Sequence, residues 1–277
     1  MSRRRLPTTL VIGGLLVGLV VATALVSSIW TPTDPSHVEV TARLKAPGAG
    51  AFLLGTDHLG RDELSRIMAG ARNTLLVGIV TVLIAIGVGV PLGGLAALQR
   101  GSIEDATMRV ADILLAFPAL LLAILFASVF GPSTVTAMSA IGIALVPVFA
   151  RVVRGAGLQI MQQDYVSIVR TYGGGSIWIF IRHVLPNVSP VLIVQATVAF
   201  AIAILAEAAL SYLGLGTPPP TPSWGRMLSE SQTFLDQAPL LAVWPGASIA
   251  LSVLGFNLLG DGLRDLLDPK LIDRVSS

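Results

Sequence analysis

The sequence contains no cysteine. Disulfides, thiolate-held zinc, iron–sulfur clusters and thiol catalysis are excluded with it. Lysine is nearly absent: Lys45 and Lys270 are the only two, so the positive charge is almost all arginine. Charged residues make up 12% of the 277, where a soluble domain carries about a quarter. An ordinary soluble domain and a disordered chain are both ruled out. No Gly-Lys-Ser/Thr stands anywhere: Lys45 follows Leu44 and Lys270 follows Pro269, so there is no phosphate-cradling P-loop. Of the three histidines, His37, His58 and His183, none lies inside a long apolar run. That excludes an intramembrane Ser–His hydrolase, and three scattered histidines establish no metal site. The net charge of +2 is too small to argue for nucleic acid.

What the chain has is apolar length. It is 53% hydrophobic, with a mean hydropathy of +0.80. Six uncharged runs are long enough to cross a hydrocarbon core of about 30 Å as helices: Leu6–Ile29, Thr74–Leu98, Ile113–Phe130, Ser133–Ala150, Asn187–Ala206 and Leu240–Leu259. None alternates with period two, so a β-barrel is excluded in favour of an all-α membrane bundle. Gly87, Gly89, Pro91, Pro118, Pro147 and Pro245 fall within these runs, where neighbouring helices can repair the backbone and close approach is favoured.

The arginine distribution orients the spans. Arg3, Arg4 and Arg5 precede the first run and put the N-terminus in the cytoplasm; six spans return the C-terminus there. Inner segments then hold twelve Lys/Arg and outer segments six. One outer loop, 31–73, resists the bias with five basic residues, balanced by Asp34, Glu39, Asp57, Asp62 and Glu63. The first run is read as a retained anchor, because it is too long for a typical signal peptide. The domains follow: 1–30, tip and first span; 31–73, extracytoplasmic loop; 74–260, the core with a cytoplasmic loop 151–186; 261–277, a cytoplasmic tail.

Loop 151–186 is the informative one. Tyr165, Ile168, Val169 and Tyr172 fall at i, i+3, i+4 and i+7, one apolar face of a short helix starting at Asp164. Gly173-Gly174-Gly175 breaks it. Ile177, Phe180, Ile181 and Val184 repeat the spacing until Leu185-Pro186. Such a hairpin either lies on lipid headgroups or docks a cytoplasmic partner.

Here the sequence resembles a family. Asp164-Tyr165-Val166, Gly173 and His183-Val184-Leu185-Pro186-Asn187 are similar to the coupling loop of bacterial binding-protein-dependent ABC importer permeases. Gly173, Leu185 and Pro186 match with correct spacing. Ser167-Ile168-Val169 stand in place of Glu-Ala-Ala, and His183 in place of Ile. Leu54–Asp62 with Ser65-Arg66 and Gly70-Ala71-Arg72, Ser211–Gly216 with Pro222–Gly225, and Asn257–Asp261 with Arg264-Asp265 and Leu267–Pro269 resemble the C-type permeases of the dipeptide, oligopeptide and nickel branch. The resemblance implies a type I (MetI-like) bundle of six transmembrane helices that imports peptides, with a homologous second permease and an extracytoplasmic solute-binding protein. One or two ATP-binding subunits, with their ATP and magnesium, would sit beneath the coupling loop. It implies no catalysis and no cofactor on this chain, in an inner membrane with lipid around it. An ion-coupled secondary transporter is the alternative.

Three further places are candidates. Glu207, just past the fifth span, is an interfacial carboxylate or a pathway gate; Asn257, late in the sixth, is a helix-packing residue or a pathway residue. Segment 211–238, with Gly214, Gly216, a proline run and Trp224, is a rigid connector with an interfacial Trp anchor or part of a platform for the binding protein.

Overall fold

The computed structural model describes residues 6–267, and every described element is helical. The principal helices are α1 (Thr8–Ser27), α2 (Glu63–Leu98), α3 (Ser102–Ala116), α4 (Ala119–Phe130) and α5 (Thr134–Met161). They are followed by α6 (Asp164–Thr171), α7 (Ser176–Ile179), α8 (Leu185–Tyr212), α9 (Trp224–Ser231) and α10 (Leu240–Leu267). Among the described residues, five helices are long and apolar enough to cross a membrane, with the run from Ser176 to Tyr212 as one of them, and α3 with α4 makes a bent sixth. Arg3–Arg5 and the tail beyond Leu267 lie outside the described residues.

The six runs become helices, but their ends move. The third, Ile113–Phe130, is not one straight span: α3 and α4 meet at 84°. Phe117 is extended (φ −88°, ψ 124°), as the residue before a proline tends to be, and Pro118 has no N–H for a continuing helix. α2 begins at Glu63, well ahead of its apolar run. Its first turn is held by Asp62, which accepts the Ser65 N–H at 2.9 Å. Its 36 residues span about 54 Å at 1.5 Å each, more than the hydrocarbon needs, so its ends stand in polar surroundings. α5 and α10 also run on past Ala150 and Leu259.

Packing relies on small residues. A Cβ at Gly93 of α2 would lie 2.3 Å from the Ala150 carbonyl oxygen of α5, and one at Gly89 2.7 Å from the Phe149 Cβ. Phe149 is fully buried there, at the centre of an apolar core shared by α2, α5 and α8. A second core joins α1, α8, α9 and α10 around Ile204 and Phe256. Lipid gives no hydrophobic drive between helices, so close contact is what holds such a bundle.

The α1–α10 seam gives a direct test. A Cβ at Gly13 would meet the Leu259 backbone nitrogen at 2.3 Å, whereas one at Gly14 meets nothing. Gly13→Val should destabilise the solubilised protein by about 1–3 kcal/mol, the usual cost of overpacking, and Gly14→Val should not. Thermal unfolding in detergent compares the two; equal melting temperatures would remove the seam.

Candidate functional site

At the end of the bundle where α2 finishes, α5 passes through Gln162 and Gln163 into α6. The helix stops where the spacing predicts: Tyr172 caps it, and Gly173 takes φ +85°, where a Cβ is strained. Most of the apolar face read from the spacing stays open, and only Val169 of it turns toward the bundle. Val166 is fully buried and Val169 packs partly against the α2–α5–α8 core, because α6 lies with that edge on the bundle. Tyr165, Ile168 and Tyr172 point outward, Tyr172 with 88% exposure. Beside them Ile168, Val169, Tyr172, Gly173–Gly175 and Trp178 line an open groove.

The second piece is also rearranged. Ile179 and Val184 are buried and Phe180 packs on Gly94 of α2, while Ile177 and Ile181 are exposed. Leu185-Pro186 does not end a separate helix. A five-residue wider turn, Phe180–Val184, carries the chain from α7 straight into α8, with Pro186 in its first turn, where a missing N–H costs least. His183 stands between Tyr165 (ring centroids 5.6 Å) and Trp178 (5.1 Å), tying α6 to α7 as an aromatic. Leu185 is half-buried against the core; Asp164 and Pro186 are exposed.

The opposite end carries a clamp. Segment 55–62 is turn-rich, and Gly60 at φ +80° leaves no room for a side chain, since a Cβ would fall 1.9 Å from the Glu39 carbonyl oxygen. Asp57 pairs locally with Arg61 (2.6 Å) and with Arg66 of α2. Both arginines reach Glu230 of α9, at 2.9 and 2.7 Å, and Arg226 binds its other oxygen at 3.0 Å. Loop 31–62 is thereby fastened across the bundle to α9. Burial pushes the Glu230 carboxyl up, but the charge and hydrogen bond of Arg66, with Arg61 and Arg226, outweigh it and hold it below the usual range. Burial pushes His58 down against the charges of Asp57 and Glu230. Asp57, His58 and Glu230 converge as metal ligands can, but the carboxylate oxygens already accept hydrogen bonds from guanidinium groups, and we assign them to the clamp.

Near this end, Glu207 is buried inside the protein, where an interfacial carboxylate would be exposed. It accepts from Ser211 (2.6 Å), Ser223 (2.9 Å) and Thr217 (3.2 Å). Trp224 is 2% exposed, and its Nε1 donates to the Ile67 carbonyl at 3.0 Å while Gly70 makes room for the ring. It is therefore an internal anchor, neither an interfacial belt residue nor a contact surface itself. Gly214 takes φ +77° and is exposed; Gly216 is buried with no space for a Cβ beside Ser211. Asn257 is exposed on α10 and is not brought near Glu207's partners.

Residues 89–273 match the binding-protein-dependent transport system inner membrane component family. The chain belongs to that family. This permease is 43% identical over 266 residues to the di/tripeptide transport system permease protein DppC of Pseudomonas aeruginosa, covering 94% of this chain and 88% of that protein. It is 41% identical to the glutathione transport system permease protein GsiD of Pectobacterium atrosepticum (94% and 87% covered). To the nickel transport system permease protein NikC of Escherichia coli it is 37% identical, with 93% of each chain covered. A solved structure of the MetNI methionine ABC transporter, facing inward, aligns with a TM-score of 0.60 over 73% of this chain and 96% of that one. At 18% identity it shows the fold, a type I importer permease bundle.

Sequence reasoning missed two sets of residues in this permease. The clamp joins Arg61 and Arg66 to a glutamate 169 and 164 residues away, which no local pattern signals. Glu207's donors were partly visible, since Ser211 lies one helical turn on.

The clamp makes a pH prediction. Because the Glu230 value is lower folded than unfolded, its stabilisation is present above the ordinary glutamate range and lost as pH falls through the lowered value. Arg66→Met leaves Asp57 and Glu230 short of a partner and should cost about 3–5 kcal/mol at neutral pH, while flattening the acid limb of stability. Melting temperature against pH for both proteins checks it; parallel curves would show that the clamp carries no such linkage.

Proposed function

We propose that this permease is one of two homologous membrane subunits of an ATP-driven importer of small peptides. Its partners are a second permease, one or two ATP-binding subunits and an extracytoplasmic solute-binding protein. The α6 end faces the cytoplasm, with both termini, and the clamp end faces outward. ATP and magnesium belong to the ATP-binding subunits, and this chain performs no bond chemistry. Two of the three relatives named above carry peptides or glutathione in their names, which supports the solute class.

The observation that carries the reading is the outward face of α6. Tyr165, Ile168 and Tyr172 stand in the open beside a groove, on a helix whose other edge is locked into the core by Val166. Burying three such side chains at about 25 cal/mol per Å2 contributes several kcal/mol toward holding a partner against the cost of association. A partner that moves this face moves Val166, Ile179 and Val184 with it, and these pack in the same core as Phe149 of α5. Closure of the ATP-binding subunits thus rocks α5 and α8 together and exchanges access from one side to the other.

Gly173 tests it. A side chain there meets no neighbour within 4 Å, so only the backbone at φ +85° resists substitution. Gly173→Val should insert normally but lose co-purification of the ATP-binding subunits and at least about tenfold of ATP-driven uptake in proteoliposomes, as about 1–2 kcal/mol of left-handed strain tips α6 out of place. Wild-type levels of both would reject the coupling role.

A further inference from the structure

Glu207 lies within the last two turns of α8, with 1% exposure. All three of its hydroxyl partners, Ser211, Thr217 and Ser223, donate to the same oxygen, Oε1. Thr217 extends the node: its Oγ1 accepts from Asn73 Nδ2 of α2 at 2.9 Å and Thr134 Oγ1 at the start of α5 at 3.3 Å. Its N–H donates to Ser211 Oγ at 3.0 Å. One carboxylate oxygen therefore ties together α2, α5, α8 and the residue that precedes α9.

The segment held this way has a buried base and an exposed crest. Gly216, Thr217, Pro222, Ser223 and Trp224 are buried; Pro218–Thr221 stand out above them. The base has no slack: a Cβ at Gly216 would lie 2.2 Å from Ser211 Oγ, and one at Gly225 2.0 Å from the Ala208 carbonyl oxygen. The orientation of the crest thus follows from where Oε1 holds Thr217 and Ser223.

We infer that Glu207 is a positioning residue that fixes the Pro218–Thr221 crest at the mouth of the bundle, and that it works as a hydrogen-bond acceptor and not as a charge. Its partners are neutral hydroxyls that need one oxygen, which a carboxamide also supplies. A gate or an ion-coupling carboxylate would need its charge. The inference deepens the importer reading, because the crest lies on the face proposed to meet the binding protein, but its structural part stands apart from that reading.

Because the chain has no cysteine, Thr221→Cys gives it a single site for a nitroxide label, read in the complex assembled with cysteine-free partner subunits in lipid nanodiscs. The label should be held in the otherwise unsubstituted protein and in Glu207→Gln. It should become several-fold more mobile in Glu207→Leu and in Thr217→Val, which keeps the side-chain volume if the leucine variant fails to assemble. Uptake of dialanine should be within about twofold of wild type for Glu207→Gln at every pH across the neutral range. It should fall about tenfold for Glu207→Leu, the scale of stranding buried hydroxyls. An immobile label in both Glu207→Leu and Thr217→Val would overturn the positioning role. A Glu207→Gln protein as impaired as Glu207→Leu, or with a shifted pH profile, would show that the charge matters and overturn the acceptor role. Failure of the wild-type complex to take up dialanine would count against the peptide reading alone, while the label still decides the role of Glu207.

Discussion

A lipid interior offers no hydrogen bond to a peptide group, and that constraint organises this permease. Each apolar run must satisfy its own backbone, so each becomes helix. The one sharp break within a predicted span, between α3 and α4, falls at Pro118, which has no N–H to satisfy. Once the runs are helical, lipid supplies no drive to join them, and contact must come from close packing. Gly89 and Gly93 bring α2 against α5, and Gly13 brings α1 against α10, at distances that no side chain at those positions would allow.

The same constraint sends polar chemistry to the ends. Asp57, Arg61, Arg66 and Glu230 form the clamp at one end, and Arg154 with Glu104 and Arg151 with Asp112 fasten α3 to α5 toward the other. The exposed pair of Arg151 and Asp112 adds little stability, whereas the buried members of the clamp are costly to separate. Glu207, near the clamp end and buried, is tolerated because three hydroxyls meet it. The bundle is thereby divided into a closely packed middle and two polar ends.

The existence of the helices was legible because hydropathy over some twenty residues reports the bilayer directly. Their ends were less so. α2 extends back over Ser65, Arg66 and Arg72, whose polarity reads as loop until Asp62 is seen capping the helix. In α6 the amphipathic spacing marked the face that is left open, but the buried edge at Val166 was not legible, because a helix of two turns shows no second apolar stripe. The bundle decides, since Val166 meets the core fully and Val169 in part. Trp224 illustrates the opposite failure: tryptophan near a span end suggests an interfacial belt, yet Gly70 opens a slot on α2 that encloses the ring. Contacts across more than a hundred residues, such as Arg66 to Glu230, are set by topology and leave no local trace.

The central claim is that the outer face of α6 is where energy enters. A photo-crosslinking phenylalanine analogue in place of Tyr172, the most exposed side chain of that face, measures it in the intact membrane complex. The account predicts an adduct between this permease and an ATP-binding subunit, formed on illumination and changed in yield when ATP is bound. An adduct with lipid alone, in a complex that still retains its ATP-binding subunits, would contradict it.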